Sequence, residues 1–239
     1  PSGDYAHLPN VTCRSDYLPR DVGRIASLFC SQVIWGNIDR PDVYWSPAHR
    51  LPWFLPRKTA TTVTVHDLCW LKQPETMRRV TYHLDRVLMP RSLASTQQII
   101  AISESTAEDI RLHFDETVWE KVSIATEGGA HMPPPLPITH LVTLGIEMPY
   151  VLFVGSFEPR KNLARLLQAF QQVIKQSDTE ILLVLVGGAS WGQNSVRSDI
   201  AALGIAGKVL VLDNVDDQTL STLYCHAQCL AAPSLLEGF

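Results

Sequence analysis

Tyr150-Val-Leu-Phe-Val-Gly-Ser-Phe-Glu-Pro-Arg-Lys-Asn-Leu163 is followed by Glu180-Ile-Leu-Leu-Val-Leu-Val-Gly187. Tyr150–Gly155 reads as a strand. Leu163–Val173 reads as a helix, with Leu163, Leu166, Leu167, Phe170 and Ile174 on one face. Glu180–Gly187 is apolar at successive positions, so both faces must be covered, as in a central strand of a parallel sheet. A helix over Ser195–Leu203, a strand over Lys208–Leu212, a helix over Thr219–His226 capped by Asp216 and a strand over Gln228–Ala232 continue the pattern. Strand and helix alternating across short turns predict right-handed βαβ units, hence an α/β fold with a parallel sheet covered by helices.

The same alternation, less regular, lies upstream. Strands are expected at Asp42–Trp45, Lys58–Val65, Gln98–Ser103 and Lys121–Ala125. Helices are expected over Asp21–Trp35, over Thr76–Leu93 with Pro90 interrupting it, and from a capping box at Ser105-Thr-Ala-Glu108 to His113. Between the two sets stand Pro133, Pro134, Pro135, Pro137 and Pro149, a density that disfavours helix and reads as a linker. The expected organisation is a first Rossmann-like domain over 1–132, a linker over 133–149 and a second Rossmann-like domain over 150–239. The chain opens at Pro1 without a leading strand and stops at Phe239 just after a loop-like turn, so a fragment truncated at both ends is expected.

Composition narrows the function classes. The chain has 239 residues, 46% apolar, ample for a core, and 18% charged. Its net charge of −4 argues against a nucleic-acid-binding surface. Five cysteines (Cys13, Cys30, Cys69, Cys225, Cys229), odd in number and scattered, fit reduced thiols in a cytoplasmic protein. No apolar run is long enough to span a bilayer. Charge is uneven: between Arg57 and Arg91 stand seven cations and three acids. That basic region points to an anionic acceptor or to peripheral contact with the inner membrane surface, or is a solvated helix face.

Ligands of open parallel sheets sit at the carboxyl ends of the strands. Three sequences lie there. In Val154-Gly-Ser-Phe-Glu-Pro-Arg-Lys-Asn162, Gly155 lets backbone approach a ligand, and Arg160 and Lys161 open the next helix. Cations are unfavourable at that end of the macrodipole unless an anion lies between them, so the pair reads as a phosphate site or as a solvated pair beside Glu158. His66-Asp67 follows a strand; His66 could serve as acid or base or be a hydrogen-bonded structural histidine. Glu237-Gly238 follows the last strand and suits sugar hydroxyls, or is an ordinary turn. Gly187-Gly188 either permits a tight turn or touches a nucleotide. Cys225, His226 and Cys229 lack the four-ligand spacing of a zinc site and read as core thiols. A P-loop and a Gly-x-Gly-x-x-Gly fingerprint are both missing.

Together these stretches resemble the retaining glycosyltransferases of family four, the glycosyl transferases group 1. The resemblance rests on Val151–Leu163, Leu185-Val-Gly-Gly188 with Trp191-Gly192, and Pro233-Ser-Leu-Leu-Glu-Gly-Phe239. Upstream it rests on Tyr44–His49, Leu51-Pro52, Val63-Thr-Val-His-Asp-Leu68, Pro74-Glu75 and Ala101-Ile-Ser-Glu-Ser105. It implies a GT-B fold, two Rossmann-like domains facing a cleft, the second holding a nucleotide-sugar. It implies transfer of a hexose, mannose favoured, from a GDP- or UDP-sugar to a glycan or lipid-linked acceptor with retention of configuration. Neither a metal nor a cofactor is implied.

By the same resemblance, Lys161 and Arg160 neutralise the donor diphosphate, with Gly155, Ser156, Gly188, Gly238 and Phe239 also on the donor side. Glu237 matches the first glutamate of a Glu-x7-Glu motif beside the donor sugar, and His66 matches a catalytic cleft residue. His49 and Asp67 fall on the acceptor side. Three departures are visible. Ser156 stands where many relatives carry arginine, so either Arg160 takes that duty or the phosphate grip is weaker. The family's N-terminal Gly-rich loop has no counterpart, and the second glutamate would lie past Phe239. The stretch as given is therefore expected to be inactive by itself. A non-catalytic relative that binds a nucleotide-sugar or a partner is the alternative; a nucleotide-sugar epimerase matches less well.

Overall fold

The computed structural model describes residues 41–53, 55, 58–129, 131–176, 180–187 and 193–239. The helix expected over Asp21–Trp35, Gly188 and Trp191-Gly192 lie outside them. The described residues form two compact units: residues up to His66 with Leu84–Ala125, and Asp67–His83 with Thr126–Phe239.

In the first unit, strands β1 (Val43–Ser46), β2 (Ala60–Val65), β3 (Gln98–Ala101) and β4 (Val122–Ile124) form one parallel sheet in the order β1-β2-β3-β4. Val63 and Val65 on β2 and Ile99 and Ala101 on β3 are fully buried, as inner parallel strands require. Helices α2 (Arg79–Ser95), most of which lies in this unit, and α3 (Glu104–His113) accompany them, whereas the short helix α1 (Cys69–Lys72) belongs to the second unit. Helix α2 starts three residues later than expected, after a 3-10 turn at Pro74–Thr76, and runs through Pro90. Helix α3 starts earlier than expected. Its cap is Ser103, whose Oγ accepts from the Thr106 amide at 3.1 Å, while Glu108 pairs instead with Arg111. A single turn, α4 (Glu116–Trp119), capped by Asp115, leads into β4.

The second unit has α5 (Thr139–Thr143), β5 (Tyr150–Val154), α6 (Leu163–Gln176), β6 (Leu182–Val186), α7 (Gln193–Ala202), β7 (Val209–Leu212), α8 (Asp217–His226) and β8 (Cys229–Leu230). Its strands are parallel in the order β7-β6-β5-β8. Strand β6 is buried at every position and sits inside the sheet, as its unbroken apolar run requires. The pleat sorts its residues onto two cores. Leu183 and Leu185 join Phe153, Leu167 and Phe170 on the α6 side, whereas Leu182, Val184 and Val186 join Leu152, Tyr150 and Leu223 on the other. Asp216 caps α8 as expected, its carboxylate accepting from the Thr219 amide at 2.7 Å.

The stretch 133–149 is not the free linker that its prolines suggest. Ser221 Oγ donates to the Pro133 carbonyl at 2.6 Å, and the Leu136 amide donates to Thr222 Oγ1 at 2.8 Å. Between Pro137 and Pro149 apolar residues take over. Helix α5 then buries Leu141, and Ile146 follows it into the same core. Tyr150 belongs to this core too; its hydroxyl donates to the Leu223 carbonyl at 2.7 Å, and burial pushes its pKa up to about 12.

Candidate functional site

The carboxyl ends of β5 and β6 are stitched by backbone: the Gly155 amide donates to the Val186 carbonyl at 2.9 Å, and the Gly187 amide to the Leu212 carbonyl at 3.1 Å. A Cβ on Gly187 would stand 2.1 Å from the Gly155 oxygen and 2.8 Å from the Phe157 ring. No side chain fits there. The glycine thus keeps two strand ends in contact. Phe157 is itself buried and lies against Phe153, so the turn after β5 is anchored from below.

Above that anchor the chain forms a 3-10 turn, Pro159–Lys161, and only then enters α6. Arg160 and Lys161 are therefore not in the first turn of the helix, as the sequence led one to expect; they precede it. Asn162 separates the two elements in the left-handed region, with φ of 57°. Its side-chain amide donates to the Pro233 carbonyl at 3.1 Å. The Leu235 amide donates to the Arg160 carbonyl at 2.9 Å, so 233–237 runs alongside the turn. The two cations then close on one carboxylate. Arg160 Nη1 reaches Glu237 Oε2 at 2.8 Å and the Leu236 carbonyl at 2.8 Å, and Lys161 Nζ reaches Glu237 Oε1 at 2.6 Å. The anion between them is thus Glu237, rather than the neighbouring Glu158.

Electrostatics follow from that geometry. Partial burial pushes the Glu237 carboxyl upward, but hydrogen bonds from Lys161, Ser234 and Arg160 outweigh it and hold it below the ordinary glutamate range. Arg160 is opposed by desolvation and supported by Glu237, and its pKa is raised. The Arg160 and Lys161 side chains are 19% and 20% exposed, so their charges act in a partly desolvated setting. Arg160 also borders a cavity of about 230 Å³ whose wall includes Glu158, Asp67, Cys69, Thr76 and Arg78. This mixture of carboxylates, guanidinium and hydroxyl suits a polyhydroxylated ligand. Burial pushes the Cys69 thiol up, so it is a poor nucleophile.

His66 and Asp67, adjacent in sequence, are used differently. His66 Nε2 lies 2.8 Å from the Pro47 carbonyl. Asp67 accepts from the Cys69 amide at 2.9 Å and so starts α1 while facing the cavity. His49 places its Nε2 2.7 Å from the buried carboxylate of Asp85. Asp85 was not singled out by its sequence. Its signal is positional: it lies three and four residues before Leu88 and Met89, both buried on the same helix face. Ser156, half-buried, directly follows Gly155, and Phe239 is exposed. Among the described residues no group of three or more His, Cys, Asp or Glu side chains converges as a metal would require.

Residues 144–239 match the family described as glycosyl transferases group 1. Along nearly its whole length the chain is similar to O-antigen chain mannosyltransferase B of Escherichia coli, at 27% identity over 252 residues, covering 97% of this chain and 65% of that protein. The serotype-specific mannosyltransferase WbdA of Escherichia coli is 26% identical over 189 residues, covering 73% of this chain and 23% of that protein. The chain thus spans less than two thirds of either relative. Among solved structures, sucrose-phosphate synthase from Thermosynechococcus elongatus superposes with a TM-score of 0.64 at 17% identity, covering 94% of this chain and 58% of that one. At that identity the likeness concerns the fold, which is GT-B.

Proposed function

We propose that this chain, whose residues 144–239 are a glycosyl transferases group 1 domain, belongs to a retaining hexosyltransferase that moves mannose from GDP-mannose to a glycan or lipid-linked acceptor. The observation that carries the reading is the convergence of Arg160 and Lys161 on a single anion at the carboxyl end of β5. Two partly buried cations held 2.8 and 2.6 Å from one carboxylate are already spaced to grip a diphosphate. Mannose is favoured by the two Escherichia coli relatives, both named as mannosyltransferases.

The chemistry asks for little else. Breaking the bond between the anomeric carbon and the β-phosphate oxygen leaves an oxocarbenium-like sugar and a diphosphate of rising negative charge. Arg160 and Lys161 stabilise that charge where it develops, the largest contribution such a site makes. With two side-chain cations there, the reading needs no metal and no cofactor. Glu237 yields the cations to the donor and turns to the sugar hydroxyls, while Gly155, Ser156, Gly238 and Phe239 line the donor. His66 acts beside the transferred sugar, and Asp67 with the cavity around it receives the acceptor. Retention follows if the acceptor attacks on the face the diphosphate leaves, its hydroxyl proton passing to the departing phosphate.

Cytoplasmic placement against a membrane surface is part of this reading. Among the described residues no helix is long and apolar enough to cross a membrane. Support comes from the basic region 57–91, where Arg78, Arg79 and Arg86 are exposed beside Val80 and Val87, which are 70% and 59% exposed.

The full-length protein should transfer mannose from GDP-mannose to an oligomannose acceptor, the product showing the anomeric configuration of the donor by NMR. Failure of GDP-mannose and of UDP-hexoses to yield any glycosylated product would overturn the transferase reading, and an inverted product would overturn retention.

A further inference from the structure

Asp85 is a charged side chain 3% exposed, and the mechanism above does not use it. Buried carboxylates persist only when they are paired, so its partners define its purpose. All of them come from the loop that leaves β1. His49 Nε2 donates to Asp85 Oδ1 at 2.7 Å, and Arg50 donates to the same oxygen from Nε at 2.6 Å and Nη2 at 2.6 Å. The loop is fixed elsewhere as well. Ser46 Oγ donates to the Arg50 carbonyl at 3.0 Å, and the Leu51 amide donates at 2.9 Å to Ser92 Oγ, itself bonded to the Leu88 carbonyl at 2.7 Å. Residues 46–51 are thereby tied to α2 at two points, Asp85 and Ser92.

Within that loop stands Pro47, whose carbonyl is 2.8 Å from His66 Nε2. A carbonyl oxygen can only accept. The bond therefore requires the proton on Nε2, which in the neutral ring leaves the lone pair on Nδ1. We infer that Asp85 is a positioning residue for His66: through His49 and Arg50 it holds the Pro47 carbonyl that orients the His66 ring and fixes its tautomer. The relay resembles in logic the outer hydrogen bonds that orient catalytic histidines elsewhere, but here it runs through a backbone carbonyl. The inference rests on the proposed catalytic role of His66 for its consequence in turnover, though not for its effect on the ring.

The two are separated by one experiment on the full-length protein labelled with 15N-histidine. The ring nitrogens of His66 report its tautomer by NMR, and steady-state kinetics with GDP-mannose report turnover. In the wild type His66 is the Nε2–H form. In Asp85→Asn, which keeps the volume but loses the charge, the ring becomes a tautomer mixture and kcat falls about tenfold, a fraction of the 10²–10⁴ that acid–base groups supply. The donor KM stays within about twofold, since Asp85 is in the unit that does not hold the cation pair. Unchanged tautomer and unchanged kcat in Asp85→Asn overturn the inference. Should that variant fail to fold, Ser92→Ala loosens the same loop at Leu51 and must shift the tautomer in the same direction; a wild-type tautomer there overturns the relay. If His66→Ala turns over like the wild type, the catalytic reading of His66 fails, and the tautomer in Asp85→Asn still decides the positioning.

Discussion

Lys161 Nζ and Glu237 Oε1 are 2.6 Å apart, so the cation assigned to the donor diphosphate is occupied by a carboxylate of its own chain. Arg160 holds the other oxygen of that carboxylate. A diphosphate entering this site exchanges one anion for another. Removing the competitor's charge should therefore strengthen binding of a nucleoside diphosphate. Charge-assisted hydrogen bonds exceed neutral ones by about 1 kcal/mol, so Glu237→Gln should bind GDP roughly fivefold more tightly while transferring sugar more slowly. Titration calorimetry checks the first and a transfer assay the second; weaker GDP binding would show that Glu237 supports the phosphates instead of standing in for them.

Gly187→Ala should destabilise the second unit by about 3 kcal/mol, at the upper end of what overpacking does. The added methyl meets backbone at 2.1 Å and a buried ring at 2.8 Å, neither the loose end of a side chain. Urea unfolding monitored in the full-length protein measures the loss. A change under about 0.5 kcal/mol, the range of an ordinary surface substitution, would mean the two strand ends are not pressed together.

How much of this could be read from the sequence depended on whether neighbours in the chain are also neighbours in space. The unbroken apolar run of β6, the one-sided face of α6 and the Asp216 cap are local facts, and each appears as expected. The cap of α3 was misplaced by the sequence, where Ser105-Thr-Ala-Glu108 reads as the capping box although Ser103 also precedes a polar residue, Thr106, by three. The backbone decides for Ser103: the Ile102 amide still pairs with the Val65 carbonyl, so the chain turns directly afterwards. The motif sequences located Arg160, Lys161 and Glu237, but nothing local says that a residue more than seventy positions away sits between the cations. Asp85 was hidden for the same reason, since its partners His49 and Arg50 stand 36 and 35 positions away in the chain.

Asp85 makes a pH prediction. Burial pushes its carboxyl upward, but the His49 hydrogen bond and charge, with Arg50, outweigh this, and its pKa lies below the ordinary aspartate value in the folded protein. A carboxylate depressed on folding contributes stability at pH values above its unfolded pKa and loses that contribution as pH falls through the folded one. The melting temperature of Asp85→Asn should therefore be lower than that of the wild type at pH 7, with the gap narrowing below about pH 4. A gap that stays constant down to pH 3 would exclude ionisation of Asp85 as its source.

His66→Ala should lower kcat by about a hundredfold while GDP-mannose affinity stays within a few fold. His66 falls in the first unit and the cation pair in the second, so the roles proposed for them, in catalysis and in donor grip, belong to different units. Stopped-flow binding beside steady-state turnover resolves the two. Parallel losses in both would make His66 a binding residue.

The central claim is that Arg160 and Lys161 grip the donor through its phosphates. It is tested most directly by calorimetric titration of wild type and Lys161→Ala full-length protein with GDP and with guanosine. Loss of one charged hydrogen bond should weaken GDP by about tenfold to a hundredfold, and guanosine, which carries no phosphate, should bind both proteins alike. Equal weakening of GDP and guanosine would contradict the account, because Lys161 would then shape the site as a whole and not hold its diphosphate.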